Sequence, residues 1–144
     1  MAKVQIIGDD PIIDLNGADL VGAHLYTTVG HHIREIGPDG SGLTGWGLNL
    51  SKANLSGAYL NKAELHGADL SKANLSNAQL ADAILVQADL TGADLSKALL
   101  WGANLTGAIV DLEQIEPLQL LHDTIMPDGT KYKEWVKRKD KEAG

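Results

Sequence analysis

Leucine recurs at every fifth position from Leu50 to Leu105 without exception. Alanine stands two residues before each of these leucines except the first, where Leu48 takes its place. The residue before leucine is often Asn or Asp, and the residue after it is often Ser or Thr. The repeating unit is therefore A-(D/N)-L-x-x, and its period of five constrains the fold more than any other feature of the chain.

Neither a helix nor a flat strand can use this period. A helix turns about 100° per residue, so a step of five moves successive leucines about 140° around the axis. In a strand, a step of five alternates between the two faces. A chain that turns a corner every five residues keeps each Leu and Ala inside, and four such sides close a coil of about 20 residues. Stacked coils would pair through their backbones at about 4.8 Å.

This pattern resembles the pentapeptide-repeat family, whose fold is a right-handed quadrilateral β-helix. The continuous match runs from Leu48 to Ala108, and three earlier pentads centred on Leu15, Leu20 and Leu25 repeat it. The resemblance implies an all-β solenoid. The charged C-terminal sequence adds the expectation of short α-helical segments at its end.

The period breaks between the pentad of Leu25 and that of Leu50. Glu35 would occupy an in-phase central position there, and an unpaired carboxylate on an apolar axis is costly. We therefore expect a solenoid over residues 1–110, interrupted by a loop or hairpin excursion at about 26–47. Within this excursion, the sequence predicts one hairpin arm at Thr27–Ile36 and an exposed turn at Pro38–Gly42.

Both ends of an open coil need a cap, because they expose apolar side chains and unpaired backbone groups. A short strand is predicted to cover the first coil, and residues 111–144 are predicted to form a cap with a charged helix or tail. Asp111 and Gln114 have the spacing of a capping box. The predicted elements are a strand at Lys3–Ile7, a helix from Leu112 to about Glu116, a turn at Met126–Thr130, and a charged helix or tail at Lys131–Lys141.

Composition excludes several classes of function for these 144 residues. The net charge of −7 argues against direct nucleic-acid binding, which needs a basic stripe. The absence of Cys excludes a disulfide scaffold, a thiolate metal site and a cysteine nucleophile. No apolar run is long enough to span a membrane, and the first residues do not resemble a signal peptide, so the expected location is the cytoplasm.

Catalytic chemistry finds little support in the sequence. Candidate ligands or acid–base groups are His24, His31, His32 and Glu35, but the Gly- and Thr-rich surroundings disfavour the helix that would bring His31 and Glu35 together. No nucleophile-elbow, zinc-protease or phosphate-loop motif occurs. We therefore expect no enzyme activity, no cofactor, no metal and no small-molecule substrate.

Sorting the outward positions by side of the coil gives one surface of interest. Two sides carry only polar residues, whereas the other two bring apolar side chains to a shared corner. Such a cluster marks a contact. Either the excursion or the terminal helix covers it within the chain, or it contacts another molecule. The candidate protein-interaction patch consists of Tyr59, Ala81, Ile84, Val86, Leu99 and Trp101.

The sequence thus favours a non-enzymatic protein-interaction scaffold whose partner is an unidentified protein or a second copy of the chain. The alternative comes from the family resemblance, because some pentapeptide-repeat proteins regulate DNA gyrase by mimicking an acidic DNA duplex. Between Leu48 and Gly107, however, five acidic residues face four lysines, a net charge of 4 − 5 = −1. A duplex mimic needs a strong field of one sign along its length.

Overall fold

The computed structural model describes the backbone of residues 3–7, 24–29 and 32–34, and the chain at residues 48–115, 118 and 121–144, with Leu112 by its backbone alone. Three strands form one sheet in the order β1-β2-β3. They are β1 (Lys3–Ile7), β2 (His24–Val29) and β3 (His32–Arg34). β1 is parallel to β2, and β2 is antiparallel to β3.

This sheet confirms the strand predicted at Lys3–Ile7 and corrects the prediction for Thr27–Ile36. That segment is not a single arm, because Val29 pairs with His32 and the chain reverses between them. The turn predicted at Pro38–Gly42 lies outside the described residues, and the bounds 26–47 stay a prediction.

From residue 48 onward the chain forms a coil in which residues 20 apart make parallel bridges. Each side is short, so single bridged residues replace longer strands. The backbone bonds are regular: the Leu75 N–H donates to the Asp94 carbonyl at 2.8 Å. We name the sides by their bridged residues: side A has Asn49, Asp69, Asp89 and Ile109; side B has Asn54, Asn74 and Asp94; side C has Tyr59, Gln79 and Leu99; side D has Glu64, Ile84, Asn104 and Ile125.

A tight turn joins each side to the next. At the first corner the Ala53 N–H donates to the Leu50 carbonyl at 3.1 Å, and Lys52 takes a positive φ of 58°. A positive φ at the third turn residue is the mark of a type II turn. Gly102 occupies the same place after Trp101, with a φ of 70°.

The interior of the coil is the predicted ladder of Leu and Ala. Every fifth residue from Leu50 to Leu105 is a buried leucine, and every fifth residue from Ala53 to Ala108 is a buried alanine. Leucine fills the axis, while alanine fits where the wall comes closest to it. The five-residue period therefore translates directly into one continuous narrow core.

In the described part of the chain, one helix precedes the last bridged residue of the coil, Ile125, and one helix follows it. Helix α1 (Leu112–Ile115) has half of the predicted capping box, because the Asp111 N–H donates to Gln114 Oε1 at 2.7 Å. The sequence predicts either a charged helix or a tail at Lys131–Lys141. The structure has a helix there, α2 (Tyr132–Ala143). The described helices are too short and too polar to cross a bilayer.

Helix α2 closes the end of the core. Its Trp135 is buried in the same cluster as Ile115, Leu121 and Met126. The predicted turn at Met126–Thr130 is confirmed by the bond from the Gly129 N–H to the Met126 carbonyl, at 2.8 Å. The Arg138 guanidinium then pairs with Asp128 and ties α2 to that turn.

Candidate interaction surfaces

Side C carries two of the largest exposed apolar side chains of the coil. Tyr59 and Leu99 lie two coils apart on the same bridged track and are 39% and 38% exposed. Gln79 lies between them, so the track alternates aromatic, polar and aliphatic groups. The backbone of this side is as regular as elsewhere, with the Leu80 N–H donating to the Leu99 carbonyl at 2.8 Å.

Trp101 lies at the corner that ends side C and is 53% exposed. Its carbonyl accepts a hydrogen bond from the Asp82 N–H at 2.8 Å, so the backbone beneath the indole is fixed by the coil below. From Ser56 to Thr106, the residue that follows each inward leucine is at least partly exposed. A large aromatic group at this position is therefore held in solvent on a rigid support.

Side C differs from sides A and B in the hydrogen bonds made by the side chains at its corners. On sides A and B, an Asn or Asp before leucine accepts a bond from the following Ser or Thr; Asn74, for example, accepts from the Ser76 N–H at 3.0 Å. Side C has no such pair. Its Asn61 instead reaches the next coil, donating to Gln79 Oε1 at 3.2 Å and accepting from the Ala81 N–H at 3.0 Å.

The other residues of the predicted patch are less accessible. Ala81, Ile84 and Val86 are each half-buried, and Ile84 lies on side D between Glu64 and Asn104. The accessible part of the patch is thus concentrated in Tyr59, Leu99 and Trp101 (hereafter the side-C surface). Described residues of α2 lie against the end of the core, and they leave Trp101 half exposed.

Sequence reasoning missed Ile109, which is 60% exposed on side A. The signal was present: Ala108, Ile109 and Val110 continue the repeat by one pentad beyond Leu105. Extending the side-A track from Asp89 by 20 residues would have placed Ile109 outward, and the bridge between these two residues is observed.

The polar sides A and B behave as local turn caps. Asp69 accepts from both the N–H and the O–H of Ser71, at 2.9 and 2.6 Å, and the same pairing recurs along both sides. The Asn and Asp side chains of these two sides therefore hydrogen-bond to nearby backbone. They stabilise corners rather than forming a reactive row of carboxylates.

Acid should weaken these caps at Asp94. The O–H and N–H of Ser96 donate to its carboxylate and hold the pKa of Asp94 below the ordinary value of 3.8. A lowered pKa stabilises the fold above pH 3.8, and this contribution is lost as pH falls through the folded-state pKa. Asp94→Asn keeps the acceptor oxygen without titrating. Its melting temperature should fall less than that of the wild type on acidification below about pH 4; equal falls would contradict this role.

A second carboxylate with a lowered pKa lies in the terminal turn. Partial burial raises the pKa of Asp128, but the hydrogen bonds from Thr130 and the charge of Arg138 outweigh it. The Thr130 N–H donates to Asp128 at 3.0 Å, in the same arrangement as the corners of the coil. This acidic group therefore also serves the local structure.

The candidate ligands His31 and Glu35 lie outside the described residues, and His24 and His32 are described by their backbones alone. Among the side chains that the structure describes, no three His, Asp or Glu residues converge on a point that could hold a metal. An open cleft of about 360 Å³ lies between side B of the last full coil and α1. Its lining residues are Ala93, Asp94, Leu95, Ser96, Lys97, Glu113, Gln114 and Leu118.

The sequence of the coil matches the model of a known family. The family model described as pentapeptide repeats matches residues 46–77 and 73–110, with eight copies of the repeat. The matched residues are those in which the buried ladder of Leu and Ala is observed. No curated protein matches the sequence.

Several solved structures are similar to this chain. A pentapeptide repeat protein from the thylakoid lumen of Arabidopsis thaliana is 26% identical over 73% of this chain and 72% of its own, with a TM-score of 0.49. QnrB1, a plasmid-mediated fluoroquinolone resistance protein, is 15% identical over 88% of this chain and 62% of its own, with a TM-score of 0.50. Rfr23 from the cyanobacterium Cyanothece 51142 is 29% identical over 78% and 83%, with a TM-score of 0.38. At its low identity, the likeness to QnrB1 concerns the fold alone.

Proposed function

Because this chain belongs to the pentapeptide-repeat family across residues 46–110, we propose that it is a non-enzymatic scaffold that binds a protein partner through the side-C surface. Proteins of this family are generally structural or interaction proteins without catalysis. The observation that carries the proposal is Trp101, which the coil holds half exposed on a rigid turn.

The energetics of the side-C surface fit a specific contact. Burying a large apolar side chain contributes about 1.5–3 kcal/mol. Trp and Tyr are the residues most enriched where binding energy concentrates, and a polar rim around them excludes water. Here Gln79, Asn61 and the exposed Asp82 lie beside the apolar groups. Because the backbone is already fixed by inter-coil bonds, little conformational entropy is lost on binding.

We further infer that the four-sided coil has the right-handed quadrilateral form of its relatives. Solved pentapeptide-repeat structures have this form, and the likeness to QnrB1 extends over 88% of the chain. A coil of this kind presents flat outer walls, so its outward residues act as a recognition surface rather than as the lining of a deep active site.

The proposal is tested by Trp101→Asp, with Ile109→Asp as a matched control on side A. Light scattering gives the mass, to be compared with 15.3 kDa for one chain, and a melting curve gives the stability. If the partner is a second copy, Trp101→Asp should lower the mass without changing the melting temperature, and Ile109→Asp should do neither. A lower melting temperature at constant mass would mean that Trp101 stabilises the fold instead.

The duplex-mimic alternative makes a different prediction. The lysines at Lys52, Lys62, Lys72 and Lys97 stand in the third turn position and interrupt any acidic field along the coil. A scaffold of this kind should leave the supercoiling activity of DNA gyrase unchanged. Inhibition of gyrase, or its protection from a fluoroquinolone, would favour the mimic.

A further inference from the structure

In its last full coil, side B presents two backbone N–H groups that have no acceptor among the described residues. One coil earlier on the same side, the N–H groups of Leu75 and Asn77 donate to the carbonyls of Asp94 and Ser96, both at 2.8 Å. The equivalent groups in the last full coil are the N–H groups of Leu95 and Lys97. Among the residues that the structure describes, none accepts a hydrogen bond from either group.

At this edge of side B, α1 takes the place of the next pentad. Side A continues one coil further to Ile109, and side D continues to Ile125. Between them the chain forms α1 (Leu112–Ile115) instead of another side-B pentad. The backbone donors of Leu95 and Lys97, two residues that line the cleft, therefore meet no following coil among the described residues.

Gln114 replaces only one of the hydrogen-bonding groups that a further side-B pentad would supply. In the regular coil the carbonyl of the inward alanine accepts from the next coil, as Ala73 accepts from the Asp94 N–H at 2.9 Å. At the edge, Gln114 Nε2 donates to the Ala93 carbonyl at 2.6 Å and to the Leu90 carbonyl at 3.0 Å. The acceptor is thus satisfied by a side chain, whereas no group in the described part of the chain does the same for the two donors.

The cleft beside this edge is accessible and acidic on balance. Asp94, Ser96 and Lys97 are exposed, and so is Glu113 on the opposite wall. These lining residues carry two carboxylates and one ammonium group. Leu95 and Leu118 also line the cleft, and both are buried.

We propose that the side-B edge binds an extended peptide segment bearing a Lys or Arg residue, which adds to the coil as a further strand. Two carbonyls of the peptide accept from the Leu95 and Lys97 N–H groups, as recognition by strand addition requires. The basic side chain lies between Asp94 and Glu113, which sets the preference for charge. This site is separate from the side-C surface, and the inference does not rest on the role of Trp101.

Amide exchange followed by NMR tests this proposal residue by residue. In the free protein, the amides of Leu95 and Lys97 should exchange about tenfold faster than those of Leu75 and Asn77, which lie one coil deeper. Adding the capped peptide Gly-Lys-Thr-Lys-Thr-Gly should slow exchange at Leu95 and Lys97 and leave Leu75 unchanged. The matching peptide with Glu in place of both Lys residues should bind several-fold more weakly.

Two variants separate this edge from the rest of the molecule. Glu113→Lys should weaken binding of the lysine peptide several-fold, and Trp101→Asp should bind it as the wild type does. Protected Leu95 and Lys97 amides in the free protein would overturn the proposal, since the chain itself would then cover the edge. Equal binding of both peptides, no binding at millimolar peptide, or edge-to-edge dimers in place of peptide binding would also overturn it.

Discussion

Replacing Leu75 with alanine is expected to lower the free energy of unfolding by about 2–5 kcal/mol. Leu75 is fully buried, and Leu55 and Leu95 occupy the same position in the neighbouring coils. Backbone bonds on both sides of each coil, such as that from the Asn74 N–H to the Ala53 carbonyl, keep the wall from closing on the cavity. The measurement is urea denaturation monitored by circular dichroism.

Leu99→Ala is the matched control for this substitution. The same atoms are removed from a side chain that is 38% exposed, so the loss should stay below about 1.5 kcal/mol. Similar losses for the two variants would contradict a core built from the inward leucines alone.

Replacing Trp135 with alanine should have an effect of similar size at the end of the coil. The indole is buried with Leu121 and Met126, stacks on Tyr132 at 6.2 Å between ring centres, and lies 5.8 Å from the Lys139 ammonium group. Truncation of a buried aromatic residue costs about 3–5 kcal/mol. It also uncovers the end of the core, so the variant should self-associate as its concentration rises.

Sedimentation and thermal melting measure these two effects together, and Trp101→Ala is the control. The same truncation at a half-exposed tryptophan should leave the melting temperature within a few degrees. A Trp135→Ala protein that is as stable and as dispersed as the control would show that α2 does not close the core.

The core was predictable because a single rule governs it. A period of five with Leu and Ala has one economical solution, a chain that turns at every pentad, and Leu50 to Leu105 follow it. The Asn and Asp caps were also predictable, since an Asx side chain two residues before a Ser or Thr bonds locally. Asn104 and Thr106 show this pairing at 3.0 Å.

The final segment of the coil, at residues 124–126, was not predicted because it departs from the five-residue pattern in three ways. Ile125 bridges Asn104 at a separation of 21 residues, so the register has shifted by one. Met126 stands in the place of leucine, and Thr124 in that of alanine. Thr124 is tolerated there because its hydroxyl donates to the Leu100 carbonyl at 2.6 Å.

The candidate surface was predictable in its placement and less so in its accessibility. The repeat assigns Tyr59, Leu99 and Ile84 to their sides, and the bridges agree with that assignment. How far a side chain is covered depends on the groups above and below it in the stack. Ile84 is half-buried between its neighbours, whereas Ile109 is 60% exposed on a different side. The end of side B at Leu95 depends on the position of α1, which the five-residue pattern does not predict.

The most direct measurement of the scaffold function compares the sets of proteins that bind to three immobilised forms of this chain. These forms are the wild type, Trp101→Asp and Ile109→Asp. Bound proteins are quantified by mass spectrometry after each variant has been shown to melt like the wild type. The account predicts a specific set of proteins, or further copies of the chain itself, that is retained by the wild type and by Ile109→Asp and lost with Trp101→Asp. Identical sets from all three proteins would contradict binding through the side-C surface.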